Sequence, residues 1–225
     1  MTTSDSKLLA AARAVDFIED GMAVGLGTGT TATLFIRQLA LRVREGLKVR
    51  CVASSQASHD LAASLAIPMT TFESTPILDL AIDGADEVAP GLALIKGGGG
   101  ALLREKIVIS AARRFLVIVD SSKAVPHLGR FPLPVEVIKM ALPIVEHKLA
   151  NLGIKPVLRR FSDGSPYLTD ENNYILDCAC GEILAPEQLA ASIRRIVGVV
   201  EHGLFLNMAT EAIIGFEDHV EERSA

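Results

Sequence analysis

Asp79-Leu80-Ala81-Ile82-Asp83-Gly84-Ala85-Asp86-Glu87, followed by Leu92-Ala93-Leu94-Ile95-Lys96-Gly97-Gly98-Gly99-Gly100-Ala101-Leu102-Leu103-Arg104-Glu105-Lys106, decides how the chain is read. Two short apolar runs each end in charged and glycine-rich residues. Leu80 to Ile82 has the composition of a buried strand and stops at Asp83; Leu92 to Ile95 has the same composition and stops at Lys96. Beyond the glycines, Leu102, Leu103 and Ile107 recur at helical spacing, which predicts a helix from near Ala101. Open α/β sheets bind ligands at the carboxyl ends of their strands. On that rule Asp83, Asp86, Lys96 and Glu105 gather around one crevice as three carboxylates and one ammonium. Carboxylates beside a lysine suit proton transfer, with one acid as base and the cation stabilising an oxyanion. A structural ion-pair network around Lys96 is the other reading of the same residues.

Upstream, residues 5–20 read as an amphipathic helix with Leu8, Leu9, Ala12, Val15 and Ile18 near one face. Met22 to Leu26 is a buried strand that runs into Gly27-Thr28-Gly29-Thr30-Thr31, and a helix follows over roughly Ala32 to Val43. Strand, glycine-rich turn and helix present backbone N–H groups and a helix N-terminus to an anion. The dinucleotide pattern Gly-x-Gly-x-x-Gly starts at Gly25 but meets Thr30 at its sixth position. The next strand, Val49 to Ala53, ends in Ser54-Ser55 without an acid for a ribose hydroxyl. A Walker lysine is also missing. A turn rich in hydroxyls, with Thr28, Thr30 and Thr31, suits a small phosphate monoester; the plainer reading is a strand-to-helix turn capped by threonine. Ser54-Ser55-Gln56-Ala57-Ser58 reads as a helix N-cap. A helix over 58–66 and a strand near Met69-Thr70-Thr71 continue the alternation.

After the organising stretch, Phe115 to Val119 is a buried strand ending in Asp120-Ser121-Ser122-Lys123. Lys123 is placed for an anion, or is a solvated loop lysine. The composition changes at Pro126 to Pro134. Beyond it the pattern reads strand 134–138, helix 141–152, strand 155–161, strand 173–178, helix 186–196 and strand 198–201, the β-α-β-β-α-β order of a ferredoxin-like unit. Leu204 to Leu206 and Ile213 to Gly215 read as strands that rejoin the first sheet. The expected fold is therefore α/β: a doubly wound, mostly parallel, Rossmann-like sheet with a smaller inserted ferredoxin-like α+β domain. The expected boundaries are residues 1–128 plus 203–225 for the α/β domain and 129–202 for the small one.

The bulk numbers exclude some classes. With 225 residues, 49% of them hydrophobic, the chain can bury a substantial core. No apolar run approaches a membrane span, and Asp5, Lys7 and Arg13 near the start do not look like a secretory signal. A net charge of −5 argues against nucleic acid as partner. Cys51, Cys178 and Cys180 give no disulfide framework, which points to the cytoplasm, and Cys178/Cys180 lacks a second ligand pair for a metal. None of the five histidines pairs with a cysteine or acid at metal-ligand spacing.

Gly27-Thr-Gly-Thr-Thr31, Asp83-Gly-Ala-Asp-Glu87, Lys96-Gly-Gly-Gly-Gly-Ala101 with Arg104-Glu105-Lys106, Asp120-Ser-Ser-Lys123 and Phe131-Pro-Leu-Pro-Val-Glu-Val137 resemble the type A ribose-5-phosphate isomerases. The resemblance runs nearly end to end, through Thr169-Asp170 and Ile175-Leu-Asp177 to Gly203-Leu-Phe205. It implies interconversion of ribose 5-phosphate and ribulose 5-phosphate without metal or cofactor, by a dimer or tetramer. Residue by residue, it implies that Glu105 is the base moving a proton between C1 and C2, and that Asp83 takes part in ring opening and acid–base transfer. Lys96 and the following glycine amides would stabilise the enediolate. Substrate binding falls to Thr28, Gly29, Thr30, Thr31, Asp83, Gly84, Ala85, Asp86, Lys96, Gly97, Gly98, Gly99 and Lys123.

Three departures stand out. Thr30 replaces a usual serine, Gly100 stands where alanine is frequent, and Thr169-Asp170-Glu171-Asn172-Asn173 lacks the glycine of the usual Thr-Asp-Asn-Gly-Asn turn. A non-catalytic sugar-phosphate sensor and a glutamyl-adduct acyl transferase are the competing readings of such a scaffold. The sequence shows neither an output module for the first nor a coenzyme A pocket for the second.

Overall fold

A computed structural model describes residues 3–225, with side chains from residue 5 onward. The chain opens with α1 (Thr3–Val15), β1 (Ala23–Leu26), α2 (Thr30–Arg44), β2 (Arg50–Ala53), α3 (Gln56–Ser64) and β3 (Leu80–Asp83). The short strands β4 (Glu87–Val88) and β5 (Leu94–Ile95) precede α4 (Leu102–Ser110) and β6 (Phe115–Asp120). Next come β7 (Leu133–Val137), α5 (Leu142–Asn151), β8 (Lys155–Leu158), β9 (Tyr174–Ala179), α6 (Pro186–Arg194) and β10 (Val199–His202). The last elements are β11 (Leu204–Phe205), β12 (Glu211–Gly215) and β13 (Val220–Ser224). These elements fall into two units: residues 1–85, 104–124 and 207–225, and residues 86–103 and 125–206.

The first unit is built on a six-stranded sheet in the order β13-β12-β6-β3-β1-β2. All its pairings are parallel except the β12–β13 hairpin. β1, β3 and β6 are buried along their whole length, as continuous apolar runs require in a sheet covered on both faces. One face is covered by α1, α2 and α3 around Phe35, Ile36 and Leu39. On the other, Val108 of α4 joins Ala23, Val52 and Leu78. Helices on both faces make the doubly wound arrangement that the alternating pattern predicts.

Two expectations in this unit are corrected. α1 buries Ala10, Ala11, Ala14 and Val15, while Leu8, Leu9 and Ala12 are exposed. Small residues face inward because Gly215 of β12 lies directly under the backbone of Ser6 and the methyl of Ala10. The strand expected at Met69 to Thr71 is only an isolated bridge between Cys51 and Met69.

The second unit holds a four-stranded antiparallel sheet in the order β10-β7-β9-β8, with α5 and α6 in the connections. Numbered within the unit, that order is fourth, first, third, second, and the β-α-β-β-α-β sequence pattern matches it element by element. Its core gathers Leu133, Val135 and Val137 with Val145, Leu149, Leu176 and Ile193. A separate three-stranded sheet, β11-β5-β4, is also antiparallel. It takes up residues 86–103, which the sequence pattern assigns to the α/β domain, and it uses Leu204–Phe205, which therefore do not rejoin the first sheet. β12 does rejoin it, beside β6.

Candidate active site

In the first unit the chain leaves β1 for α2 on one face and, beyond β3, returns through α4 on the other. β1 and β3 are neighbours, so the sheet's topological switch point lies between them, where open α/β sheets bind ligands. Gly27 follows β1 there, and a Cβ on it would overlap the Asp83 carboxylate. Asp83, 2% exposed at the end of β3, accepts Thr28 N–H at 2.9 Å and Gly84 N–H at 2.7 Å, both on Oδ1. The Thr28 hydroxyl donates to Ser55 Oγ at 2.8 Å and lies 3.0 Å from Ser54 Oγ, while Ser58 Oγ donates to Gly27 O at 2.7 Å. The serine stretch is the expected N-cap, with Ser55 Oγ accepting Ser58 N–H at 3.1 Å, and it also braces the threonine turn.

α2 starts after Gly29 without a side-chain cap, so its first amides keep the donors that a capping residue would otherwise occupy. Thr30 is exposed there and Thr31 is buried. Lys7 of α1 donates to Thr30 Oγ1 at 3.1 Å and stands 3.9 Å from Asp120 Oδ2. Asp120 ends β6 and accepts Ser122 N–H at 3.0 Å, capping the turn that carries Lys123. Lys7 was missed by sequence reasoning. No local motif marks it, because only the packing of α1 beside α2 and β6 brings its ammonium to the threonine turn.

Glu105 lies in the first turn of α4 and is 4% exposed. One turn later, Val108 packs so closely on β1 that a Cβ at Gly25 would come 2.6 Å from Val108 Cγ1. In a β3–α4–β6 crossover between parallel strands the helix runs back against the strands. Its first turn, with Glu105, therefore lies at their carboxyl ends. The first unit thus brings the threonine turn, Asp83, Glu105 and Lys123 to one end of one sheet; Gly84 and Ala85 continue from Asp83, half-buried.

In the second unit, Lys96 follows β5 and is 1% exposed, its N–H donating to Gly203 O at 2.9 Å and its ammonium 5.5 Å from the centre of the Phe205 ring. Gly97 to Gly100 form a tight turn closed by Gly100 N–H to Gly97 O at 3.0 Å. Asp86 accepts Gly98 N–H at 2.7 Å. Arg159, just past β8, donates through Nη1 to Gly97 O at 3.0 Å and Gly98 O at 3.1 Å. The Tyr167 hydroxyl reaches Gly99 O at 3.3 Å. Gly100, at φ +87°, has no room for a Cβ because the Tyr167 phenol fills that space, which explains the departure from alanine in this chain. Glu87, fully buried, accepts the N–H groups of Gly129 and Phe131 and holds that loop rather than a ligand.

The 169–173 departure is also resolved. Asn172 takes φ +61°, which asparagine tolerates better than most residues, and its N–H still closes the turn on Thr169 O at 2.9 Å. Burial pushes the Cys178 thiol far up and Cys180 up to about 11, so neither is a ready thiolate. His59, His127, His147 and His219 are exposed and His202 is buried. Among the described residues no cluster of histidine, cysteine and acids could hold a metal ion, and no helix is long and apolar enough to cross a membrane.

A family model described as ribose 5-phosphate isomerase A (phosphoriboisomerase A) matches residues 50–219. Ribose-5-phosphate isomerase A of Sphingopyxis alaskensis is 50% identical over 217 residues, covering 96% of this chain and 95% of the relative. That of Roseiflexus castenholzii is 53% identical over 216 residues, covering 95% and 92%. Among solved structures, ribose 5-phosphate isomerase A from Methanocaldococcus jannaschii superposes with a TM-score of 0.95 at 40% identity, over 100% of both chains. A D-ribose-5-phosphate isomerase in complex with phospho-erythronic acid gives 0.97 at 36% identity, again over 100% of both. Agreement at this identity over the full extent of both units makes the chain a member of the ribose 5-phosphate isomerase A family.

Proposed function

We propose that the chain interconverts D-ribose 5-phosphate and D-ribulose 5-phosphate through an enediolate, as a step of the non-oxidative pentose phosphate pathway. The observation that carries the proposal is the joint placement, at one sheet end, of a threonine turn opening a helix and two buried carboxylates, Asp83 and Glu105. The amides of Thr30 and Thr31 with Lys7 and Lys123 take the phosphate, where the positive end of α2 favours an anion. Asp83 assists ring opening by moving a proton between the ring oxygen and the O1 hydroxyl. Glu105 removes the proton from C2 of the open-chain aldose; the C2 electrons form the C1–C2 double bond, and the carbonyl electrons settle on O1. Lys96 and the glycine amides stabilise that oxyanion. Transfer of the O2 proton to O1 and return of the Glu105 proton to C1 complete the ketose. Gly84, Ala85, Asp86 and Gly97 to Gly99 belong to the sugar-binding surface in this reading.

The test is direct. Incubation with ribose 5-phosphate yields ribulose 5-phosphate, which neither a sensor nor an acyl transferase would produce. Glu105→Gln keeps the side-chain shape and lowers turnover by about 10²–10⁴-fold; turnover near wild type removes Glu105 as the base. Lys7→Met and Lys123→Ala chiefly raise KM, because phosphate anchoring is common to ground and transition states; an unchanged KM in either removes that lysine from the phosphate site.

The same reading includes a cytoplasmic homodimer or higher oligomer. Met140, Val157, Leu184 and Val197 of the second unit each stand more than half exposed, and covering such side chains with a second copy would favour association. Light scattering on the eluting protein tests this, and a monomer at micromolar concentration would refute it.

A further inference from the structure

Three successive carbonyls of the tetraglycine turn are held by two side chains outside any motif singled out in the sequence. Arg159 is itself locked: its Nε and Nη2 pair with Asp177 Oδ2 and Oδ1 at 2.9 and 2.5 Å, the planar fork that only arginine provides. That leaves Nη1 aimed at Gly97 O and Gly98 O. Tyr167 packs beside the guanidinium, 5.7 Å from ring centre to Cζ, and reaches Gly99 O. The pairing of β8 with β9 sets Asp177 opposite Val157, two residues before Arg159, so the antiparallel sheet carries the clamp. A peptide plane points its C=O and N–H in opposite directions. Fixing the carbonyls of 97 and 98 toward the clamp therefore turns the amides of 98 and 99 away from it, while the Gly100 N–H folds back onto Gly97 O. Gly98 N–H meets Asp86 and Gly100 N–H meets Gly97 O; the Gly99 N–H, at the exposed tip, has no acceptor among the described residues.

We propose that Arg159, oriented by Asp177 and flanked by Tyr167, is a positioning residue that fixes the amide edge of the Lys96–Gly100 turn for the reaction. The proposal rests on the isomerase reading for its kinetic consequence and on the turn's geometry for its structural one. The small antiparallel sheet thereby serves as the mount on which the oxyanion-stabilising turn is set. A glycine-rich turn without a clamp samples many backbone states, and a misplacement of about 1 Å can cost roughly 10²-fold in rate.

The experiment compares Arg159→Met, Arg159→Lys, Asp177→Asn and Tyr167→Phe with wild type, by kinetics on ribose 5-phosphate and by amide hydrogen exchange. In Arg159→Met kcat falls by about 10²-fold while KM changes by no more than about threefold. Arg159→Lys and Asp177→Asn fall between it and wild type, and millimolar methylguanidine restores part of the Arg159→Met rate. Tyr167→Phe has the smallest effect. The Gly98 and Gly100 amides, each hydrogen-bonded within the turn, exchange at least about tenfold faster in Arg159→Met while those of β9 keep their protection. Wild-type kcat with unchanged turn exchange in both Arg159 variants overturns the proposal. So does a loss of kcat accompanied by faster exchange through the whole antiparallel sheet, which would make Arg159 a fold residue only. Should wild type itself not act on ribose 5-phosphate, the isomerase reading fails while the exchange data still decide whether the clamp exists. If Arg159→Met does not fold, Asp177→Asn carries the same two measurements.

Discussion

The two glycine turns of this protein are braced in opposite senses. At Gly27–Thr31 a carboxylate gathers donors: Asp83 takes the amides of Thr28 and Gly84 on one oxygen, and hydroxyls from Ser54 to Ser58 hold the rest. At Lys96–Gly100 a guanidinium gathers acceptors: Arg159 takes the carbonyls of Gly97 and Gly98, and Tyr167 reaches that of Gly99. The first brace draws N–H groups inward and leaves the helix behind it to meet an anion. The second draws C=O groups back, while Asp86 holds the Gly98 amide and the Gly99 N–H is left at the exposed tip. The difference teaches that a glycine turn has no polarity of its own; the side chain that braces it decides which edge it offers.

The sharpest way to break the first brace is Gly27→Ala. A methyl there overlaps the Asp83 carboxylate, which cannot move without giving up both amides. Overpacking and the lost hydrogen bonds together are expected to cost about 2–4 kcal/mol and to reduce kcat/KM by more than about 10²-fold. Denaturant unfolding and steady-state kinetics check both figures; a variant within about 0.5 kcal/mol of wild type would show that the turn is not held by close approach.

The second brace breaks more gently. Gly100→Ala meets the Tyr167 phenol and an unfavourable φ of +87°, for an expected loss of about 1–3 kcal/mol. Adding Tyr167→Ala removes the collision but not the backbone strain, so the double variant recovers only part of that loss. A double-mutant cycle by urea unfolding measures the coupling, and zero coupling would mean that the tyrosine does not fill that space.

The braces also show which parts of the molecule were legible in the sequence. The strand-turn-helix at Gly27 and the β-α-β-β-α-β order of residues 133–202 are local patterns, and both were readable from hydrophobic period and turn residues. Residues 86–103 were not. Two-residue strands carry too little pattern to say whether they pair in parallel with β3 or antiparallel with each other, and only β11, more than a hundred residues on, settles it. Leu8 and Leu9 misled because hydrophobicity outranked size: α1 lies too close to β12 for leucine. The acids and Lys96 stood out as charges at strand ends. Lys7, Arg159 and Tyr167 did not, since each reaches its turn from a distant element, and no spacing in the chain encodes that reach.

The comparison extends to another buried acid, where the expected effect is smallest and opposite in sign. Asp83 is held by backbone N–H groups that a turn must satisfy anyway. Glu136 of β7, also buried, accepts only neutral side-chain donors, Thr169 Oγ1 and Asn173 Nδ2 at 2.9 Å each, with Glu171 and Glu201 adding negative charge nearby. Burial pushes its carboxyl above the ordinary carboxylate range, outweighing the two hydrogen bonds. The folded protein then binds this proton more tightly than the unfolded chain. The associated stability is complete below the unfolded carboxylate pKa and is lost as pH rises through the higher folded value. Glu136→Gln keeps an oxygen for both donors and removes the charge. Its melting temperature is expected to exceed wild type by about 2 °C at pH 7 and to converge on it near pH 4. Thermal scans across that range decide the matter. A gap independent of pH, or a wild type that is the more stable at pH 7, would mean that the two side-chain hydrogen bonds outweigh burial at Glu136.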